Sequence, residues 1–310
     1  MRKHILRVLL QKKQLLKTSE MKLLNEYLRE RFGCKVYKIS LNGGFTCPNR
    51  DGKLGTKGCI FCSAGGSGEF AGSPEKSITE QIDTGKKLVA GKIKDGSYIA
   101  YFQAYTNTYA PVGYLKDLFT QAILNPDIVA LSVATRPDCL PDDVIELLKG
   151  LNEIKPVWVE LGLQTIHERT AQYIRRGYGL KVYDDAVKKL KAAGLEIITH
   201  VILGLPGENV QDMLETVSYV CDGRTNGIKL QLLHILKGTD LEKEYRKGKV
   251  NVLSEDEYIN LLKGCARIIP DSVVVHRLTG DGDKKLLVAP MWSADKKHVW
   301  NRIQKEVIGT

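Results

Sequence analysis

The chain has 310 residues, with 46 Lys and Arg against 36 Asp and Glu, which gives a formal net charge of +10. A hydrophobic fraction of 43% and a charged fraction of 26% are ordinary for a globular protein, so disorder as the main state is excluded. No apolar run approaches the ~20 residues that a membrane-spanning helix needs. Seven cysteines without a usable signal peptide argue against a secreted disulfide framework. We therefore expect a cytoplasmic protein.

The positive charge is concentrated at the N-terminus. Residues 1–38 hold 11 Lys and Arg against 3 Asp and Glu, a net charge of +8, which leaves only +2 for the rest of the chain. Within this region Ile5–Leu16 has Leu, Ile and Val at helical spacing, which predicts a basic amphipathic helix. Two interpretations stay open, a solvated helix or arm and a segment that attracts the phosphate backbone of a nucleic acid.

From Lys35 onward, short β-branched runs alternate with longer helical stretches. The predicted strands are Lys35–Leu41, Tyr98–Ala104, Ile128–Ala134, Val157–Leu163, Glu196–Leu203 and Ile228–His234. The predicted helices between them are Ile78–Ala90, Val112–Leu124, Asp142–Leu151, His167–Arg175, Lys181–Ala193 and Asn209–Cys221. Strands that alternate with helices indicate an α/β fold with a parallel sheet, and we expect a partial (β/α)6 TIM-like barrel.

The chain divides into three predicted parts. Residues 1–34 form the basic N-terminal helical segment, residues 35–240 form the barrel core, and residues 241–310 form an extension that closes the barrel. The extension is predicted to contain a helix, a strand at Val273–Leu278, a loop and a terminal helix. Ligand sites of such sheets gather at the C-terminal ends of the strands, so functional residues are expected just after each strand.

A glycine-rich segment with three cysteines follows the first predicted strand. The cysteines are Cys47, Cys59 and Cys62, with eleven residues between the first two and two between the last two. Glycine allows the backbone to wrap closely around a bulky group. Three grouped thiolates can hold three irons of a [4Fe–4S] cluster. The fourth iron then stays open for a non-protein ligand, which is what binding of S-adenosylmethionine (SAM) requires.

Three other interpretations of these cysteines stay open. A structural zinc site could take Cys34 as its fourth ligand. A redox pair could form between Cys59 and Cys62. Inert buried thiols are the third alternative, but the segment is too polar and too rich in glycine for a core. The isolated cysteines are expected to be small core or surface residues, namely Cys34, Cys139, Cys221 and Cys265.

Taken together, these motifs resemble the radical SAM superfamily. Phe61 stands immediately before Cys62, where the family carries an aromatic residue that packs against the adenine of SAM. The eleven-residue gap departs from the family's usual spacing and is most similar to the YhcC/YtqA-like group, which has a run like Phe45–Gly52. The strand region is also similar to the Elongator catalytic subunit and to the oxygen-independent coproporphyrinogen dehydrogenase.

The resemblance implies positions for the SAM contacts. After the second strand, Gln103, Tyr105 and Thr106 lie where relatives carry a glycine-rich turn that receives the amino group of SAM. The match to the porphyrinogen enzyme implies a ribose contact for Gln164 and a carboxylate clamp for Arg176, whose planar guanidinium suits a carboxylate. His200 falls at a ribose-ligand position, although a core histidine is an equal alternative, and Gly204 begins an adenine-side turn.

Six further residues are candidates for substrate contact. Arg136 lies in a segment similar to one in the Elongator relative, and the alternative is a simple turn. Gln231 and His234 follow Lys229 on one strand, with the side chains at 229 and 231 on one face, which could look into the barrel or be ordinary polar interior. A polar, glycine-dense segment near the C-terminus is expected to close the barrel near the substrate and contains His276, Arg277 and Asp281.

The resemblance also implies the activity. The [4Fe–4S] cluster would reductively cleave SAM to a 5′-deoxyadenosyl radical, which takes a hydrogen atom from the substrate. The expected substrate is a wobble uridine of tRNA with a 5-carboxymethylaminomethyl side chain, and the electron donor a flavodoxin or ferredoxin type of reductant. A radical SAM enzyme for a small-molecule or porphyrin-like substrate is the first alternative. A non-catalytic, zinc-stabilised nucleic-acid-binding module is the second.

Overall fold

One sheet of seven parallel strands organises the protein, whose computed structural model describes residues 21–92, 96–280 and 282–309. Its strands are β1 (Lys35–Leu41), β2 (Gly96–Phe102), β3 (Ile128–Thr135), β4 (Val157–Gln164), β5 (Glu196–Leu203), β6 (Gly227–Leu232) and β8 (Val274–Arg277). They neighbour one another in the order β1-β2-β3-β4-β5-β6-β8. Two short strands pair antiparallel outside this sheet, β7 (Ile235–Leu236) and β9 (Leu287–Ala289).

Helices connect the strands in the alternation that the sequence predicts. They are α1 (Leu24–Phe32), α2 (Ile78–Val89), α3 (Val112–Leu124), α4 (Asp142–Asn152), α5 (Glu168–Tyr173), α6 (Leu180–Ala192), α7 (Val210–Cys221), α8 (Asp240–Arg246), α9 (Glu255–Ile268) and α10 (Lys296–Ile303). The capping box expected from Ser77 and Glu80 is present at the start of α2. Within the described residues, no helix has the length and apolar character needed to cross a membrane.

The sheet curls into a half barrel, which confirms the predicted partial barrel. Lys38 of β1 and Lys229 of β6 both contact the carboxylate of Glu160 on β4. A flat sheet would hold the first and sixth strands about 24 Å apart, because neighbouring strands are about 4.8 Å apart. The contacts therefore require the sheet to curl strongly, so that side chains of β1, β4 and β6 meet.

The two faces of the sheet carry different side chains. Apolar residues such as Leu131, Val133 and Leu161 face the helices and are fully buried in the main core. The inner face begins, at the N-terminal end of the strands, with an apolar group in which Ile99, Trp158 and neighbouring residues pack with α1. Toward the C-terminal ends of the strands the inner face becomes polar. The apolar group therefore closes the N-terminal end of the barrel, which we call its bottom, and the polar side chains lie nearer the C-terminal end.

The predicted elements agree closely with the structure, with two differences. The strand predicted at Val273–Leu278 is β8, and it pairs with β6 in the main sheet, so the C-terminal extension contributes to the barrel itself. The short elements β7, β9 and α8 were not predicted, because segments of two to seven residues carry too little periodicity. The predicted helix Ile5–Leu16 lies outside the described residues, as does Asp281.

Candidate active site

The three cysteines lie in the long segment between β1 and α2, residues 42–76, which we call the cysteine loop. Its backbone is held by its own turns, in which the amide of Arg50 donates to the carbonyl of Cys47 at 2.8 Å and that of Cys62 to Cys59 at 3.1 Å. The three thiol side chains line one cavity at the C-terminal ends of the strands. Residues up to fifteen positions apart in the sequence thus face a common space.

The thiols sit in a partly buried, polar setting. Burial, together with the nearby thiol of Cys62, raises the pKa of Cys59 to about 11. Asn49 places its amide nitrogen 3.4 Å from the Cys59 sulfur. The raised pKa favours the protonated thiol in the absence of a metal. A bound metal would favour the thiolate, because a coordinating thiol is deprotonated. The cysteines are therefore poised as ligands and not as free nucleophiles.

The three sulfurs do not form a compact group of the kind that holds a single ion. Four sulfurs around one zinc ion lie about 3.8 Å apart, since Zn–S bonds are ~2.3 Å and tetrahedral. In the described part of the chain, the His, Cys, Asp and Glu ligand atoms that gather within 4.8 Å of one another belong to His167, Asp212 and Glu215. The three sulfurs do not gather so tightly, whereas an iron–sulfur cluster bridges wider gaps between its ligands.

The structure also argues against Cys34 as a fourth ligand. Cys34 precedes β1 at the bottom of the barrel, and its sulfur lies 3.6 Å from the hydroxyl of Ser97. The cysteine loop begins at the opposite end of that seven-residue strand, about 20 Å away by strand rise. A zinc site that joins Cys34 to the cysteine loop is therefore excluded by this geometry.

Most of the predicted contact residues lie on the same cavity as the cysteines. Those that line it are Phe61, Gln103, Tyr105, Gln164, His200, Gln231, His234 and Arg277. Two of them adopt backbone conformations with positive φ, Tyr105 at 61° and Gln164 at 66°. Such angles are uncommon outside glycine and are often found at functional sites. The hydroxyl of Tyr105 donates to the carbonyl of Ala64 at 2.6 Å and so anchors the cysteine loop.

Other predicted residues do not line this cavity, namely Thr106, Arg136, Arg176, Gly204 and His276. Arg136 forms a bidentate pair with Asp138, at 2.9 and 2.8 Å, and is buried. His276 packs edge-on against Trp158 with ring centroids 5.6 Å apart. These two side chains therefore have structural partners in place of a substrate.

Arg176, for which the resemblance implies a clamp on the carboxylate of SAM, does not line the cavity with the cysteines. Its side chain is almost fully buried beside the end of β4. The guanidinium donates to the carbonyls of Leu163 at 3.0 Å, Thr165 at 2.6 Å and Tyr178 at 2.9 Å. Arg176 thus holds the chain that follows β4 in place, while its Nη2 is buried without a hydrogen-bond partner among the described residues.

A group of charged residues in the barrel interior was not recognised from the sequence. We call it the charged layer, and it consists of Lys38, Glu160, His200 and Lys229. Glu160 is fully buried and accepts hydrogen bonds from Lys38 at 2.7 Å, His200 at 2.7 Å and Lys229. The hydroxyl of Ser132 also donates to it at 2.7 Å. A glutamate inside an otherwise apolar strand was the available signal, because a fully buried carboxylate is rare unless it is paired.

The charged layer sets the protonation of its members. Burial alone would raise the pKa of Glu160, but the ammonium groups of Lys229 and Lys38 hold that pKa well below its ordinary value. Burial and the charge of Lys229 lower the pKa of His200 to about 4, so its imidazole is neutral at pH 7. Burial also lowers the pKa of Lys229. Glu160 is therefore an ionised carboxylate at neutral pH.

Comparisons with known proteins identify the family of this chain. Residues 47–220 match the family model of the Radical SAM superfamily, and residues 225–308 match that of the Radical_SAM C-terminal domain. The uncharacterized protein YtqA of Bacillus subtilis is 50% identical over 284 residues, 92% of this chain and 88% of YtqA. YhcC of Escherichia coli K12 is 38% identical over 279 residues, 89% of each chain.

More distant similarities connect the chain to two archaeal proteins. The tRNA uridine(34) acetyltransferase of Methanocaldococcus jannaschii is 27% identical over 157 residues, 49% of this chain and 28% of that protein. The structure of Methanocaldococcus infernus Elp3 with an N-terminal deletion matches with a TM-score of 0.65 at 17% identity, covering 87% of this chain and 63% of that one, which shows a shared fold. The chain belongs to the radical SAM superfamily, whose members use a [4Fe–4S] cluster and SAM, and within it to the group of YtqA and YhcC.

Proposed function

We propose that this radical SAM enzyme acts on a wobble uridine of tRNA and removes the carboxymethyl part of a 5-carboxymethylaminomethyl side chain. The observation that carries the proposal is the cavity itself, in which the three cysteines and a polar, charged interior face the same space. Partial similarity to a tRNA uridine(34) acetyltransferase supports the choice of substrate class. The concentration of positive charge in residues 1–38 is consistent with an RNA partner.

In this proposal the cysteine loop supplies the metal ligands. Cys47, Cys59 and Cys62 would hold three irons of the cluster, and no fourth cysteine among the described residues lines this cavity, which would leave one iron for SAM. The chemistry that the bound cluster and SAM supply is the one-electron cleavage of a carbon–sulfur bond, which yields a carbon radical able to take hydrogen from the substrate. The electron comes from a reductant of the flavodoxin or ferredoxin type, and we place the reaction in the cytoplasm.

The remaining lining residues position and protect the reactants. Phe61, Gln103, Tyr105 and Gln164 are next to the cysteines on the cavity wall and are proposed to contact SAM. The apolar group around Ile99 and Trp158 closes the bottom of the barrel. A closed, dry floor excludes water and loose side chains that would quench a carbon radical.

The experiment has two parts. Reconstituted protein is incubated anaerobically with dithionite, SAM and tRNA from a strain that lacks the gene, and 5′-deoxyadenosine and tRNA nucleosides are measured. We expect 5′-deoxyadenosine together with loss of 5-carboxymethylaminomethyluridine and gain of the 5-aminomethyl nucleoside. The carbon–nitrogen bond to the carboxymethyl group breaks and the two-carbon fragment leaves as glyoxylate, whose new oxygen comes from water, while the two electrons of this oxidation go to SAM. Formation of 5′-deoxyadenosine with an unchanged nucleoside profile would leave a radical SAM enzyme with another substrate, such as a small metabolite.

A further inference from the structure

The cavity that starts at the cysteines ends on the charged layer. Glu160 and His200 belong to the charged layer and also line the cavity, where Tyr101 and Gln231 lie on the same wall. Lys229 lies behind this wall, where its ammonium group contacts Glu160 and lies 3.2 Å from the hydroxyl of Tyr101. Lys38 reaches the same carboxylate from β1. A molecule that enters past the cysteines therefore meets this layer at the inner end of the cavity.

The charges of the layer do not cancel. The two ammonium groups of Lys38 and Lys229 share one carboxylate, that of Glu160, and the imidazole of His200 is neutral. Because burial lowers the pKa of Lys229 to about 7, the layer carries up to one positive charge in excess at neutral pH, in a place where Glu160 is fully buried and the side chain of Lys229 is 3% exposed. An uncompensated buried charge is unfavourable, so an anion in the cavity would complete the layer.

The hydrogen bonds of the layer also favour an acceptor. Both oxygens of Glu160 already accept two bonds each, from Lys38 and Ser132 on one oxygen and from His200 and Lys229 on the other. Because the ionised carboxylate only accepts, His200 donates through Nε2, so its Nδ1 accepts from the amide of Gln231 at 3.2 Å. The second N–H of that amide remains as a donor on the cavity wall.

We propose that the charged layer and Gln231 form a subsite for a carboxylate of the substrate. An ionised carboxylate only accepts hydrogen bonds, and its negative charge balances the layer when both Lys38 and Lys229 are protonated. The subsite holds the acidic end of the substrate at the bottom of the cavity and leaves its other end near the cysteines. The identification of this acid with the carboxymethyl group of the wobble uridine rests on the proposed function, whereas the subsite itself does not.

The first test uses acetate and its neutral analogue acetamide as probes, at constant ionic strength, on the anaerobic holoenzyme. We expect acetate to raise the melting temperature of the wild type more than acetamide does. Gln231→Glu places a carboxylate at the subsite and should abolish this difference. Gln121→Glu makes the same change on the exposed face of α3 and should keep the difference between acetate and acetamide. An equal acetate effect in the wild type and in Gln231→Glu would overturn the subsite.

The second test uses two anticodon stem-loops that differ only in the wobble uridine, one with the carboxymethylaminomethyl and one with the aminomethyl group. The wild type should bind the first about tenfold more tightly, as one hydrogen bond to a charged group allows. Lys38→Met removes the excess charge and should bind both alike, whereas Lys38→Arg should keep the preference. A preference that survives in Lys38→Met would contradict the proposal.

The affinity for SAM separates this subsite from a cofactor site, because SAM also carries a carboxylate. Lys38→Met and Gln231→Glu should bind SAM as the wild type does, and a tenfold loss of SAM affinity would mean that the layer serves the cofactor. If the wild type modifies no tRNA but keeps its acetate effect, the substrate assignment fails and the subsite stands. If the wild type modifies tRNA and Gln231→Glu keeps the acetate effect, the substrate assignment stands and the subsite fails.

Discussion

Replacement of Glu160 by glutamine tests the charged layer most sharply. The substitution keeps the size of the side chain and removes its negative charge, so the ammonium groups of Lys38 and Lys229 are left buried without a counter-ion. Glu160 is fully buried and has four hydrogen-bond donors around it, of which Gln could satisfy only some. Breaking one partner of a buried ion pair costs about 3–5 kcal/mol.

This loss converts into a measurable melting temperature. For a chain of this length, 1 kcal/mol corresponds to roughly 2 °C, so we expect Glu160→Gln to melt about 6–10 °C below the wild type at pH 7. Glu146→Gln is the matched control, because the Glu146 side chain is exposed and its contact with Lys149 spans 3.5 Å. The control should change the melting temperature by less than about 1 °C.

The pH dependence adds a second, independent readout. Since the two ammonium groups hold the pKa of Glu160 below its ordinary value near 4.5, its ionised form stabilises the folded state fully above that pH. The contribution is lost as the pH falls below 4.5 toward the lowered pKa. The gap between wild type and Glu160→Gln should therefore narrow in acid. A gap below about 1 °C at pH 7, or one that widens in acid, would refute the reasoning.

Three further predictions concern the cysteine loop and its supports. Cys59→Ala should abolish most iron binding and all SAM cleavage while Cys139→Ala keeps both, as measured by iron analysis and 5′-deoxyadenosine; equal iron content in the two variants would contradict the ligand assignment. Arg176→Ala should lower the free energy of unfolding by about 2–4 kcal/mol, because three carbonyls lose a buried donor, and should leave SAM affinity unchanged. Weaker SAM binding at unchanged stability would show that Arg176 binds the carboxylate of SAM. Gly66→Ala should reduce the iron content, because the new Cβ would lie 2.4 Å from the ring of Tyr105 at a φ of 60°. Gly52→Ala is the control and should keep its iron, because Gly52 has a φ of 96° but nothing within 4 Å of an added Cβ. Equal loss of iron in the two variants would mean that backbone strain alone is responsible.

The sequence predicts best what is local. The three cysteines stand within sixteen residues in a glycine-rich segment, so their spacing alone indicates the metal chemistry. The alternation of β-branched runs and helical periods likewise places β1 and β5 at their observed residues. Both signals are properties of short windows, which is why neither needs tertiary structure.

The charged layer shows what such windows miss. Its members come from β1, β4, β5 and β6, and the partners of Glu160 are between 28 and 122 residues away in the sequence. Each comes from a different strand, and only the curl of the sheet brings them together. Arg176 is a related case, because an offset of twelve residues from Gln164 does not fix the direction of a side chain, and Arg176 is not among the residues that line the cavity.

Register is the other feature that the sequence does not show. His276 and Arg277 were predicted as one group, but only Arg277 lines the cavity. The pairing of β6 with β8 shifts between Ile228 and Lys229, where an extra residue is accommodated. Such an irregularity changes which side chain faces the barrel, and it depends on the packing of neighbouring strands.

The central claim is that three cysteines hold a [4Fe–4S] cluster with one iron left for SAM. The most direct measurement is to determine iron, sulfide and zinc in protein that was reconstituted anaerobically, and then 5′-deoxyadenosine after addition of dithionite and SAM to the same sample. The account predicts about four irons and four sulfides per chain and formation of 5′-deoxyadenosine. A colourless protein that contains zinc, or an iron-loaded protein that leaves SAM intact, would contradict it.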